Sequence, residues 1–133
     1  MQKDKEMDNK NDKFRYEFDP ATGIMFKIYL GPVTLADINE SWIYAFENGL
    51  IPKETIGFVL DYRQAYFKLI DEVHAGIPVF YRKHLDIFGG KKIAIITESA
   101  KDIIVPILVE QEDFGYQSRP FSTKQAAIAW VLS

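Results

Sequence analysis

Ionisable side chains that could carry proton chemistry gather in one part of this sequence. Asp61 and Arg63 directly follow an apolar run, and Asp71, Glu72 and His74 come shortly after them. An acid, a base and a cation that met at the end of a strand could transfer protons or hold a ligand. The alternative, which we favour, is structural: Asp61 caps a loop or pairs with Arg63, the two later carboxylates stabilise a helix amino terminus, and His74 is solvated.

Aromatic residues occur in the same stretch. Tyr62, Tyr66 and Phe67 are followed farther along by Phe80 and Tyr81. Rings in such number indicate a pocket or an interface. Alternatively they cover the ends of a sheet, because large exposed apolar patches are uncommon in monomers. The residues that we expect to form a binding site are Asp61, Tyr62, Arg63, Tyr66, Phe67, Glu72 and His74.

The residue sets of familiar catalytic and cofactor sites are missing from the sequence. It has no cysteine, and its two histidines, His74 and His84, would project about 80° apart on a helix, which disfavours joint chelation of one metal. No Gly-x-Ser-x-Gly motif occurs, and Gly89-Gly90 precedes a strand, which is the wrong order for a phosphate-binding loop. We therefore expect no metal, no cofactor and no enzymatic activity.

Composition predicts a small protein with a single core. The chain has 133 residues and is 47% hydrophobic, and residues 1–13 are so polar that we expect a flexible charged tail before one domain at 14–133.

A net charge of −3 and scattered basic residues argue against nucleic acid as a partner. No apolar run approaches the roughly 20 residues that span a bilayer, and no secretory signal is recognisable. We expect a soluble cytoplasmic protein.

Hydrophobic periodicity predicts the elements that position these residues. Alternation over 14–18 and an apolar run at 25–30, joined by turn residues, predict a β-hairpin. Thr34 and Asp37 then form a capping-box pattern, and the helix that follows closes at Gly49.

A buried strand and a long helix come next. The strand is predicted at 56–60, and the helical stripe runs over 70–88 until Gly89-Gly90 ends it. Pro78 lies inside this stripe, so the helix either kinks there or begins near Ile77; we favour the kink.

The last part of the chain repeats the alternation. A strand at 93–96 leads to a helix opened by Ser99 with Pro106 in its interior, and a strand at 119–121 leads to a final helix capped by Ser122. The order β-β-α-β-α-β-α-β-α predicts an α/β fold with one mixed, mostly parallel sheet, an antiparallel hairpin at its start and four helices.

This order, the apolar strand that ends in Asp61, and the closing pattern of Phe121, Ala126 and Trp130-Val131 resemble the STAS domain family, in particular its anti-sigma-factor-antagonist-like (STAS/lipid-transfer-like) branch. The resemblance covers residues 14–133. It implies a small α/β domain that binds partner proteins or small ligands, in most members without catalysis.

The sequence departs from that family at a regulatory position. The family's antagonists carry a phosphorylatable serine at the start of the helix after the third strand, whereas this chain has Asp71-Glu72-Val73-His74 there, without a hydroxyl. A phosphorylation switch at that position is chemically impossible. Glu72 could imitate a permanently charged state, with one negative charge instead of nearly two.

Two functions follow as expectations. The first is a non-catalytic regulatory module that binds a partner protein through the surface around Asp61 to Tyr66 and the following helix. The second is a carrier of a small apolar molecule or lipid, with its pocket between the 71–88 helix and the sheet, since interior prolines often mark mobile packing. A homodimer is compatible with either, because the 14–18 strand could cover a sheet edge.

Overall fold

A five-stranded mixed sheet organises the computed structural model, which describes residues 13–133. The predicted tail therefore lies outside the described residues except for Lys13. The strands are β1 (Phe14–Asp19), β2 (Ile24–Val33), β3 (Gly57–Phe67), β4 (Lys92–Ile96) and β5 (Gln117–Phe121). They lie side by side in chain order; β1 runs antiparallel to β2, and the other neighbours are parallel. This confirms the predicted fold class.

Helices cover the two faces of the sheet unequally. They are α1 (Leu35–Glu47), α2 (Ile70–Lys83), α3 (Leu85–Phe88), α4 (Ile104–Glu110) and α5 (Lys124–Val131). The larger core lies between one face and the helices α1, α2 and α4, and it includes Trp42, Phe58 and Tyr81. The smaller core lies on the opposite face, where Ala127 and Val131 of α5 cover the sheet.

Two strands are longer than their sequence pattern predicts. β2 continues through Gly31-Pro32, and β3 continues from Asp61 to Phe67. Asp61 is the last residue of β3 that pairs with β4, and beyond a bulge the extensions of β2 and β3 pair with each other. Pro32 is compatible with this ribbon because, within the described chain, it lies beyond the β2 residues that pair with β1. The predicted connection from Tyr62 onward is therefore part of a strand.

The predicted 70–88 helix is divided into two helices. Its first part, α2, contains Pro78, so a start near Ile77 is wrong; α3 begins separately at Leu85. In α4, Pro106 is the third residue, not an interior one, and a first-turn proline removes no intrahelical hydrogen bond. Ser99 caps the turn before α4 rather than the helix itself.

The N-terminal cap of α1 is the predicted one, whereas the cap of α5 lies one residue later than predicted. The capping box of Thr34 and Asp37 at α1 is confirmed. At α5 the capping residue is Thr123 and not Ser122, because Thr123 has the extended backbone of a cap and its hydroxyl accepts the Ala126 N–H at 3.1 Å.

Candidate functional site

Asp61 and Arg63 form a tight ion pair where the central sheet ends. The Arg63 Nε and Nη2 atoms donate to the two carboxylate oxygens of Asp61 at 2.9 and 2.7 Å, and the Arg63 backbone N–H donates at 3.0 Å. Both side chains lie on the α5 side of β3, because the pleat turns Leu60 and Tyr62 to the opposite face. Of the two structural roles that the sequence allows for Asp61, loop cap or partner of Arg63, the structure shows the pairing.

The pair keeps Asp61 ionised. Partial burial would raise its pKa, but hydrogen bonds from Arg63 and the charges of Arg63 and Lys124 outweigh burial, so the pKa lies below the ordinary value of 3.8. A carboxylate with a lowered pKa is a poor proton donor and a poor general base at neutral pH. The pair therefore serves geometry and recognition better than proton transfer.

Tyr62 and Phe67 are buried, in contrast to their neighbour Tyr66. The Tyr62 ring stacks on Tyr29 at 3.9 Å between centroids and contacts the Phe67 ring at 4.6 Å. Burial also raises the pKa of Tyr62 well above its ordinary value. These two rings belong to the interior of the domain and cannot meet a partner protein directly.

A small apolar cavity adjoins these rings. It lies between β3, β4, α2 and α4, which is the position expected for a carrier pocket, and its volume is about 10 Å³. A cavity of that size holds about one water molecule. An apolar ligand could enter only if α2 or α4 moved away from the sheet. The lining consists of Leu60, Tyr62, Phe67, Ile77, Tyr81, Ile95, Val105, Pro106 and Val109.

Two segments next to this cavity carry exposed apolar side chains. Tyr66 is 51% and Leu69 61% exposed where β3 passes into α2, and Ile104 and Ile107 are exposed on α4. The Phe67 N–H donates to the Asp102 carboxylate at 3.3 Å, which holds the two segments side by side. We call Tyr66, Leu69, Ile104 and Ile107 the apolar rim.

Leu69 has an unusual backbone. Its φ of 53° and ψ of 58° lie in the left-handed region, and it is the one non-glycine residue with positive φ in the described chain. Leucine pays a steric penalty there, and as the residue that precedes α2 it offers no side-chain cap. A strained and largely exposed leucine is a feature that folding alone does not favour.

Glu72 and His74 do not join Asp61. Both are on α2, which covers the opposite face of the sheet; Glu72 is exposed in the first turn, and His74 lies 3.9 Å from the Asp71 carboxylate. His74 also lines an open groove between α2 and α4 with Pro78 and Leu108. The structure therefore does not assemble the acid–base group that the sequence allowed.

The described residues, 13–133, contain neither a metal-ligand cluster nor a helix that could span a membrane. No group of three or more His, Cys, Asp or Glu side chains in this range could hold a metal ion. None of the helices in the same range is long and apolar enough to cross a bilayer.

Sequence reasoning missed Lys27. The structure buries its side chain completely on the inner side of β2, between Met25 and Tyr29 on the same face. The alternation of the strand carried this signal, since residues 25, 27 and 29 must share a face.

Comparisons with known proteins identify the fold. No family model and no curated protein matches the chain. A solved structure does: an uncharacterised protein of the DUF3478 family with a SpoIIAA-like fold, from Shewanella loihica PV-4. It is 18% identical, the match covers 89% of this chain and 91% of that one, and the TM-score is 0.60. The chain thus has a SpoIIAA-like fold, the fold of the STAS-type domains that its sequence resembles.

Proposed function

We propose that this protein is a non-catalytic STAS-like module that binds a partner protein through the apolar rim. The observation that carries the proposal is Leu69, an exposed leucine in a left-handed conformation beside the exposed Tyr66. Exposed apolar side chains in a group are typical of interaction sites, and strain at an exposed position is often retained for function.

The charges beside the rim support recognition without chemistry. Asp71 and Glu72 occupy the first turn of α2, which begins one residue after Leu69. Permanent carboxylates in the first turn of α2 would give the module one fixed electrostatic state, because that turn has no hydroxyl to phosphorylate. We infer binding that is not switched by phosphorylation at this helix.

Rim substitutions test the proposal. Leu69→Asn and Tyr66→Ser remove exposed apolar area without touching the core, so captured partner should fall at least about tenfold, the effect of losing one contact worth about 1.4 kcal/mol. Leu132→Ser is the matched control: Leu132 is 47% exposed at the end of α5, whose Val131 packs over Gly57 at the opposite end of the sheet. Equal capture by all three variants would reject the rim as the binding surface.

A carrier of small apolar molecules is the second candidate, and the cavity beneath α2 and α4 favours it. The cavity has an entirely apolar lining apart from the tyrosine hydroxyls of Tyr62 and Tyr81. Its volume of about 10 Å³ requires that the helices open before a ligand binds, which is why we place this function second.

Native mass spectrometry of gently purified protein separates the two candidates. A carrier should show an adduct of small mass that leaves on denaturation, and Val105→Ile, which fills the cavity, should reduce that adduct. Protein without an adduct, together with no binding of a fluorescent fatty acid, would remove the carrier candidate. The same spectrum reports whether the chain forms the homodimer that its sequence allows.

A further inference from the structure

The environment of Lys27 is unusual for a lysine. Its Nζ atom lies 3.8 Å from the centroid of the Trp42 ring and 4.7 Å from that of Tyr29, and the rings of Phe14 and Tyr16 follow at 5.2 and 5.7 Å. The side chain is fully buried between β1, β2 and α1. A lysine in such a position usually pairs with a carboxylate.

Within the described residues, no carboxylate forms a salt bridge with Lys27. Its hydrogen-bond partner is the hydroxyl of Ser41, which itself donates to the Ile38 carbonyl at 2.7 Å. The titratable groups that face the amine are phenols, Tyr16 from β1 and Tyr29 from β2, and α1 presents Ser41 and Trp42. The Tyr16 hydroxyl donates its proton to the backbone carbonyl of Ser41 at 2.7 Å, so this carbonyl already has a hydrogen-bond donor.

This geometry suits an amine better than an ammonium. An ammonium has three N–H donors, whereas among the described residues the Ser41 hydroxyl is the one acceptor to which Lys27 donates, and aromatic rings surround the rest of the amine. Ring faces attract a desolvated cation, but without a carboxylate partner they do not replace the full hydration shell that an ammonium loses on burial. Burial accordingly lowers the pKa of Lys27 well below the ordinary 10.5.

We propose that Lys27 is an uncharged amine in the folded protein at neutral pH, and that its protonation in acid is a built-in device that loosens the contact between α1 and the β1–β2 hairpin. A charged Lys27 must reach water, and α1 and β1 are the elements that separate it from solvent. The proposal is independent of the function proposed for the apolar rim, because Lys27 lies in the core and none of the rim residues touches it.

Lys27→Met tests the charge state. The folded pKa is lowered, so the unfolded chain binds one more proton, and wild-type stability rises with pH between the folded pKa and 10.5. An amine that is already uncharged at neutral pH requires this slope from about pH 7 upward: the unfolding equilibrium constant of wild type should fall about tenfold per pH unit relative to Lys27→Met, and a slope that begins only at higher pH would contradict the proposal. Lys53→Met, at an exposed loop position, should follow wild type. Parallel profiles for wild type and Lys27→Met would overturn the proposal.

Trp42 reports the loosening directly. With Trp130→Phe as background, Trp42 is the remaining indole, and its emission should shift to the red on acidification before global unfolding. The same background with Lys27→Met should show no such early shift. A matching shift in both proteins, or a Lys27 Nζ resonance that titrates near 10.5 in the folded state, would show that no device of this kind exists.

Discussion

The backbone N–H of Phe67 donates a hydrogen bond of 3.3 Å to the buried carboxylate of Asp102. This bond joins the end of β3 to the turn before α4, and it therefore joins the two segments that carry the apolar rim. Each segment carries two of the four rim residues, so the rim depends on the contact between them.

Removing the carboxylate should loosen the junction. Asp102→Ala leaves the Phe67 N–H without its partner at a buried site, and we expect a loss of about 1–3 kcal/mol in the free energy of unfolding. Asp102→Asn keeps a carbonyl acceptor and should lose less. Urea denaturation of both variants measures the difference, and equal losses would show that the hydrogen bond is unimportant.

Relief of backbone strain should stabilise the protein. Asn tolerates the left-handed region better than leucine, so Leu69→Asn should raise the free energy of unfolding by about 0.5–1 kcal/mol. Leu69→Ala keeps the strain and is the control, which should not gain stability. If Leu69→Asn is more stable and binds partner less, strain is retained for binding; a loss of stability would contradict the strain argument.

The ion pair at the sheet edge predicts a dependence on acid. The pKa of Asp61 is lowered in the folded state, so its contribution is present above the ordinary value of 3.8 and is lost as the pH falls through the folded value. Asp61→Asn should cost about 0.5–1 kcal/mol at neutral pH, a small effect because Arg63 is partly exposed. Thermal unfolding between pH 2 and 7 should show wild type and variant converging in acid.

Close packing between α1 and α2 makes Gly76 sensitive to any side chain. A Cβ atom at position 76 would overlap the side chain of Leu35. Gly76→Ala should therefore destabilise the fold by no more than about 1 kcal/mol, because the methyl ends of Leu35 can shift and alanine favours the helix more than glycine does. Leu35→Ala opens space at the same contact, and the double variant should recover part of the loss; strictly additive losses would show that the two residues are not coupled.

Local chemistry made much of the fold predictable. The hairpin, the capping box of Thr34 and Asp37, and the alternation of strands and helices each depend on neighbouring residues, and the structure confirms them. The extension of β3 depends on its pairing with β2 beyond a bulge, a long-range contact that no local pattern encodes. The sequence pattern predicts α2 and the short α3 as one helix, because the apolar period continues across His84.

The candidate site was only partly predictable for the same reason. The pairing of Asp61 with Arg63 joins residues two positions apart, and it is one of the two structural roles that the sequence predicts for Asp61. Tyr62 and Tyr66 looked alike as aromatic residues of one loop, but the strand turns Tyr62 inward and leaves Tyr66 exposed. Ile104 and Ile107 lie outside the region that the sequence predicts for the site. The Phe67–Asp102 hydrogen bond, which only the folded chain reveals, joins their segment to the end of β3.

The most direct test of the proposed binding module is a photo-crosslink from inside the rim. A benzophenone amino acid replaces Tyr66 in the full chain, or Leu132 in a matched control, and cells that express either protein are irradiated. A discrete covalent adduct with one partner protein from position 66, absent from position 132, is the result we predict. No protein adduct from position 66, or the same adducts from both positions, would contradict a partner-binding role for this surface.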